Sequence, residues 1–345
     1  MKGSCMFAMA KPEICSAEGS RTSKPAVIEV ENLKVAYHVY GVAPLQALNG
    51  VSFGIGAGEI LGLVGESGAG KTTLARAIMQ VIPAPGKIEG GKVTFMGTEL
   101  TAMKPEELAK RRGRDLAMIV ANPRGELNPL LPIGKQIALV AQVHLGIPRD
   151  RAMNMALEML KAVAIPDPER RMRAYPHELS GGMAQRVVIG ISLVCSPKFL
   201  ISDDATSGLD VTVQAQILSL LRKLVKEQQT SMLYITRDIG VAANFCDRVA
   251  IIYRGEIVEE APTAEFFANP IHPYGNLLLA AFAHDPALRE RWSASAATDP
   301  ETTTPAACLY ADRCVRRRER CLRDHPELRN IAPKRQVRCH FPVER

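Results

Sequence analysis

Residues 65–73 read GESGAGKTT, a run that satisfies G-x-x-x-x-G-K-[ST] between a strand-like stretch, EILGLVG (59–65), and a helix-like one, LARAIMQVI (74–82). Gly65, Glu66, Ser67, Gly68, Ala69 and Gly70 lead into Lys71, Thr72 and Thr73. This spacing suits a polyphosphate. Consecutive backbone N–H groups at a helix N-terminus form an anion nest, and the glycines let the backbone approach closely. Lys71 would reach the outer phosphates and the Thr72 hydroxyl would ligate Mg2+. The strand before and the helix after supply the context the motif requires, which leaves a plain glycine-rich turn as the weaker reading. A second set of reactive side chains lies near the C-terminus, where Cys308, Cys314, Cys321 and Cys339 form C-x5-C-x6-C-x17-C. Four thiolates are the usual ligand count for zinc or for a [4Fe–4S] cluster. Free thiols or disulfides are the plain alternative, and a reducing cytoplasm favours bound metal over them. Cys5, Cys15, Cys195 and Cys246 have no partner spacing and read as ordinary residues.

The elements that must position these groups follow from patterning. VIEVENLKVAY (27–37) alternates like a half-buried strand, whereas EILGLVG, FLISDD (199–204) and SMLYIT (231–236) are continuous apolar runs, as in a buried parallel sheet. A charged, helix-favouring region with breaks at Pro123, Pro129, Pro132, Pro148 and Pro166 separates the first buried strand from the later ones. An α/β core with a helical insertion is therefore expected. The Ser/Thr/Ala/Pro-rich stretch 285–305 reads as a linker, residues 1–26 as a disordered extension, and residues 306–345 as a small four-cysteine module with little core of its own. With 345 residues, 47% hydrophobic and 23% charged, the chain is globular and long enough for one large domain plus an appendage. The net charge of +7 is partly local to Arg316, Arg317, Arg318 and Arg320, and reads as a solvated face rather than a nucleic-acid surface. No apolar run reaches the roughly 18–20 residues of a membrane span. The first residues make a poor secretory signal, since Lys11 and Pro12 interrupt the short apolar patch.

LSGGMAQR (179–186), placed between the phosphate loop and FLISDD, resembles the signature motif of ATP-binding cassette (ABC) proteins. GLDVTVQAQIL (208–218) resembles that family's usual continuation, and IHPYGNLLLAA (271–281) followed by a cysteine-bearing tail narrows the resemblance to oligopeptide/dipeptide/nickel-type importers. The resemblance covers nearly the whole chain from Val27. It implies a P-loop NTPase of α/β class: a RecA-like core, an antiparallel β subdomain near residues 27–60 and 85–100, and a helical subdomain near 122–180, together spanning residues 27–284. It implies ATP and Mg2+ as cofactors, with Tyr37 stacking on adenine, Asp203 joining Thr72 on Mg2+, and Ser180, Gly181, Gly182 and Met183 contacting ATP held by a second ATPase subunit. It further implies two transmembrane permease subunits, an extracytoplasmic solute-binding protein, no nucleic-acid partner, and a peripheral place on the cytoplasmic face of the bacterial plasma membrane. For the tail it favours a [4Fe–4S] cluster, with Zn2+ as the alternative. A soluble ABC protein acting on ribosomes or DNA would be expected to carry two cassettes or a long coiled-coil insertion, and neither is present.

Three positions depart from the family pattern. Ala121, in AMIVANPRGELNP (117–129), stands where glutamine is usual; Asp204 stands where glutamate polarises the attacking water; Arg237, in YITRD (234–238), replaces a histidine. Alanine neither ligates Mg2+ nor positions water, aspartate is shorter by one methylene, and arginine offers donors only. Arg237 could still hold a γ-phosphate. The set predicts a chain that binds MgATP, hydrolyses it slowly or not at all, and completes an intact partner's site through its own LSGGM.

Overall fold

The computed structural model describes residues 26–283, 286–292 and 306–343. The continuous apolar runs form the buried parallel strands β3 (Ile60–Val64), β7 (Phe199–Asp203) and β8 (Ser231–Thr236). They lie in an eight-stranded sheet ordered β11-β12-β10-β9-β3-β8-β7-β6. Its remaining strands are β6 (Leu116–Ile119), β9 (Arg248–Tyr253), β10 (Glu256–Pro262), β11 (Arg329–Ala332) and β12 (Arg335–Val337). Pairing is parallel from β9 through β6 and antiparallel at the β10 end.

Because neighbouring residues of a strand point to opposite faces, the sheet has two cores. Leu61, Leu63, Ile201, Leu233, Ile235 and Ile252 pack towards helix α1 (Lys71–Ile78) and a second, antiparallel sheet. Ile60, Leu200, Met232, Tyr234 and Ile251 pack on the other face against the helical region. The second sheet, ordered β2-β1-β4-β5, comprises β1 (Ala26–Tyr37), β2 (Leu45–Gly56), β4 (Gly86–Phe95) and β5 (Thr98–Glu99). In β1 the alternation of buried Ile28 and Val30 with exposed Glu29 and Glu31 slips at Asn32 and resumes at buried Leu33. A register shift between Val30 and Leu33 absorbs the extra residue, with Asn32 at φ 47 and its N–H donating to Ser52 Oγ at 2.8 Å.

The helical region holds the helices Ile133–Leu145 and Arg149–Ala162, then Gly181–Leu193, which returns the chain to β7. Prolines open or precede its segments, as at Pro132, Pro148 and Pro168, where a missing N–H costs nothing. No helix among the described residues is long and apolar enough to cross a membrane.

The tail, expected as a small four-cysteine module with little core of its own, joins the main sheet. Its strand β12 pairs with β10, Val337 opposite Glu259, so the tail extends the main sheet. Tyr310 is 2% exposed and packs against Tyr253, Tyr274 and His272, which gives the tail a share of the main core. These three buried neighbours do not show in the tail's own composition because all of them come from elsewhere in the chain. Ala26 already belongs to β1, and the helix Pro286–Trp292 falls within the stretch expected as linker. The expected extension over residues 1–25 and the remainder of the linker lie outside the described residues.

Candidate nucleotide site

The phosphate loop leaves β3 at its C-terminal end and enters α1 through Gly70, whose φ of 102 is open to glycine and costly for other residues. A Cβ at Gly65 would run into the Ile252 carbonyl oxygen, so the loop can lie flat against β9 only with glycine there. Around it opens a cleft of about 460 Å³, lined by the loop together with Tyr37, Gln46, Asp203, Asp204 and Arg237. That volume suits a nucleotide-sized ligand.

The cleft holds two cations, Lys71 and Arg237, and two carboxylates, Asp203 and Asp204. Lys71 Nζ donates to the carbonyl oxygens of Gly65 and Glu66, both at 2.7 Å. Burial holds its pKa below the ordinary value, against the pull of Asp204, Asp203 and Glu66. Burial pushes the Asp203 carboxyl up, and a hydrogen bond with the Thr72 side chain opposes that shift. Asp203 and Thr72 are thus two adjacent hard oxygen donors at the mouth of the phosphate loop, the set that Mg2+ takes together with phosphate oxygens. Asp204 has φ 51 and its N–H donates to the Ile235 carbonyl at 3.0 Å. Its carboxylate lies 3.3 Å from Arg237 Nη2. The Tyr37 hydroxyl is 3.5 Å from Thr73 Oγ1, at the rim.

The sequence-derived residues therefore divide. Tyr37, Ser67, Gly68, Gly70, Lys71, Thr72, Thr73, Asp203, Asp204 and Arg237 come together around one cleft. Gly65 and Glu66 act from behind it through their carbonyls, and Ala69 is buried beneath the loop. Ala121 is exposed and outside the lining. Ser180, Gly181, Gly182 and Met183 form the N-terminus of the helix Gly181–Leu193, with Ser180 Oγ accepting the Met183 N–H at 3.3 Å. That helix end is also absent from the cleft of its own chain. Leu45, Gln46 and Ala47 line the cleft without any motif to mark them.

Cys308, Cys314, Cys321 and Cys339 line a second, small cavity with His272, Tyr310 and Phe341. Burial pushes the Cys308 thiol up to about 12 and that of Cys314 to about 11. No cluster of three or more His, Cys, Asp or Glu side chains that could hold a metal ion occurs among the described residues. Cys195 and Cys246 are free and distant in role from these four, Cys246 being buried in the core.

Comparison with known proteins agrees with the geometry. Residues 48–207 match the family described as ABC transporter, and residues 258–321 match the oligopeptide/dipeptide transporter C-terminal region. The chain is 43% identical over 281 residues to the oligopeptide transport ATP-binding protein OppD of Bacillus subtilis, covering 81% of this chain and 78% of that one. It is 36% identical over 323 residues to the dipeptide transport ATP-binding protein DppD of Escherichia coli, covering 92% and 98%. Among solved structures, the dimeric ATP-binding cassette MJ0796 in a post-hydrolysis state, bound to ADP and Pi, superposes with a TM-score of 0.61 at 27% identity, over 68% of this chain and 98% of that chain. The chain belongs to the ATP-binding subunits of ABC transporters of the oligopeptide/dipeptide type.

Proposed function

We propose that this chain is the MgATP-holding, weakly hydrolytic member of a pair of different ATPase subunits that drive peptide uptake. The observation that carries the reading is the place of Asp204, a carboxylate one methylene short, in the cleft lining beside Lys71 and Asp203, with Arg237 against it. A carboxylate that polarises water must face the γ-phosphate with its lone pairs free, and this one is short and held by a guanidinium. Phosphoryl transfer depends on positioning and charge stabilisation, so loss of reach at this point bears directly on rate. Lys71, Thr72 and Asp203 are untouched by these substitutions and would still hold the phosphates and Mg2+. The N-terminus of the helix Gly181–Leu193, with Ser180 exposed and Gly181, Gly182 and Met183 half-buried, lines no part of its own chain's cleft and would meet the ATP of a second, intact ATPase subunit. The dimeric state of the cassette MJ0796 supports such sharing.

The pair would lie on the cytoplasmic face of the bacterial plasma membrane beneath two permease subunits fed by a solute-binding protein. A cytoplasmic helix of the permease is assigned to the loop 121–131, where Leu130 is 82% exposed. Peptide is the proposed cargo, on the strength of the curated relatives.

For the tail we infer a [4Fe–4S] cluster held by Cys308, Cys314, Cys321 and Cys339. A single Zn2+ needs all four sulfurs about 2.3 Å from one point. Four thiols that line one cavity supply the ligand count that a [4Fe–4S] cluster takes. Its part would be to join segments of the tail, with four protons leaving as the thiolates form. Iron content and visible absorption of the anaerobically purified full-length chain, against Cys314→Ser, test it.

The function is tested by ATP turnover of the whole reconstituted transporter with Asp204→Asn in this chain and, separately, the catalytic glutamate of the second ATPase subunit changed to glutamine. Turnover that survives the first change and not the second is expected. Loss of turnover on Asp204→Asn alone would mean that the shorter carboxylate catalyses.

A further inference from the structure

Glu66 is held from three directions. Its N–H donates to the Tyr274 hydroxyl at 3.1 Å, and its carbonyl accepts Lys71 Nζ at 2.7 Å. Its carboxylate takes both Nη groups of Arg313, at 2.9 and 3.0 Å. The first two partners belong to the cassette, whereas Arg313 belongs to the tail, 247 positions further along the chain. Arg313 ends the short 3-10 turn Ala311–Arg313, immediately before Cys314. Its guanidinium lies 5.8 Å from the ring centroid of Tyr253, which meets Tyr310 edge-on at 5.1 Å. The contacts thus run unbroken from the wall of the four-cysteine cavity, through Tyr310 and Arg313, to the residue whose carbonyl carries the phosphate-binding lysine.

We propose that Arg313 is a positioning residue for the phosphate loop, and that the Arg313–Glu66 pair couples nucleotide binding to the packing of the cysteine-bearing tail. A bidentate guanidinium–carboxylate pair fixes orientation as well as distance. Bound at both oxygens, the Glu66 side chain cannot swing, so the peptide that presents its carbonyl to Lys71 is held in one setting. When phosphate draws Lys71 away, the loop keeps its shape because Arg313 and Tyr274 remain. Coupling of this kind is reciprocal, so ATP must also steady the tail.

The proposal rests on the cleft being an ATP site. The full-length chain is assayed for affinity towards a fluorescent N-methylanthraniloyl ATP with Mg2+, and for hydrogen exchange over residues 306–323 with and without ATP. Both partners are about four-tenths exposed, so the effect is modest: Arg313→Gln is expected to raise Kd roughly three- to five-fold. Arg313→Lys, which keeps the charge and loses the fork, should fall between. Glu66→Gln should match Arg313→Gln, and the double variant should be no worse than either, since the two act as one unit. Arg338→Gln loosens the tail elsewhere, at the Ile257 carbonyl and Glu256, and should lower the melting temperature while moving Kd less than Arg313→Gln does. ATP should slow exchange of residues 306–323 in the wild type and not in Arg313→Gln. Additive single variants, a Kd shift in Arg338→Gln equal to that in Arg313→Gln, or tail exchange indifferent to ATP in the wild type would each overturn the coupling. A wild-type chain that fails to bind the nucleotide would instead overturn the ATP-site reading beneath it.

Discussion

On the proposed reading hydrolysis at this cleft is slowed by reach and by charge, and adding a methylene at residue 204 separates the two. Asp204→Glu extends the carboxylate by about 1.5 Å, one carbon–carbon bond. Misplacement of about 1 Å costs catalysis on the order of 100-fold. The ion pair with Arg237 is a smaller handicap. At 3.3 Å, with Arg237 58% exposed, it is a water-screened contact worth about 0.5–1 kcal/mol, or roughly two- to five-fold in the availability of the carboxylate. Asp204→Glu alone is therefore expected to raise hydrolysis at this site by about 10- to 100-fold, and Arg237→His alone by no more than about five-fold. The variant carries a cost in the fold, because residue 204 has φ 51 and aspartate tolerates that region better than glutamate does. A loss of about 1 kcal/mol in stability is expected alongside the gain in rate. The assay is phosphate release by the reconstituted transporter in which the catalytic glutamate of the proposed second ATPase subunit is glutamine, so that turnover would come from this cleft. A large rise with Arg237→His and none with Asp204→Glu would refute the argument from reach.

Other perturbations read other parts of the site. Lys71→Ala removes a charge-assisted contact worth about 1.5–3 kcal/mol, so the affinity for MgATP, measured by fluorescence titration, should fall by about 10- to 100-fold. Gly70→Ala forces a Cβ to within 2.5 Å of the Ala47 carbonyl at φ 102 and should abolish nucleotide binding while lowering the melting temperature. Glu260 is buried beside Arg248, and burial pushes its carboxyl up to about 7 from an ordinary 4.5. A raised carboxyl contributes stability that is complete below about 4.5 and is lost as the pH climbs through about 7. Glu260→Gln should therefore gain in melting temperature relative to wild type between pH 5 and 8; a constant difference across that range would refute the assignment.

The parts of the fold that announce themselves in the sequence are those decided locally. Buried parallel strands such as ILGLV need only be apolar throughout, and the loop GESGAGKTT carries its own geometry in Gly65 and Gly70. Tyr37 was placed at the cleft by resemblance and lies at its rim, whereas Gln46 belongs to an unremarkable strand and reaches the cleft only because β2 pairs with β1. The tail was the least legible. Nothing near Arg313 indicates that its partner is 247 residues earlier, and nothing in RNIA or RQV indicates strands that find β10. IHPYG was legible as a family mark, but not as the source of the hydroxyl that accepts the Glu66 N–H. Long-range pairing is set by complementarity between distant surfaces, which no short window contains.

The addition of β12 to β10 has a bearing on solubility as well as on shape. β10 would otherwise be the margin of a large sheet, offering a row of unpaired N–H and C=O groups to any extended chain it met. The tail hands that exposure on to β11, whose four residues are all exposed and which is too short to template another strand. The cysteine-bearing segment thus doubles as a selvedge for the sheet, and a chain shortened before it would carry a raw β10 edge prone to self-association.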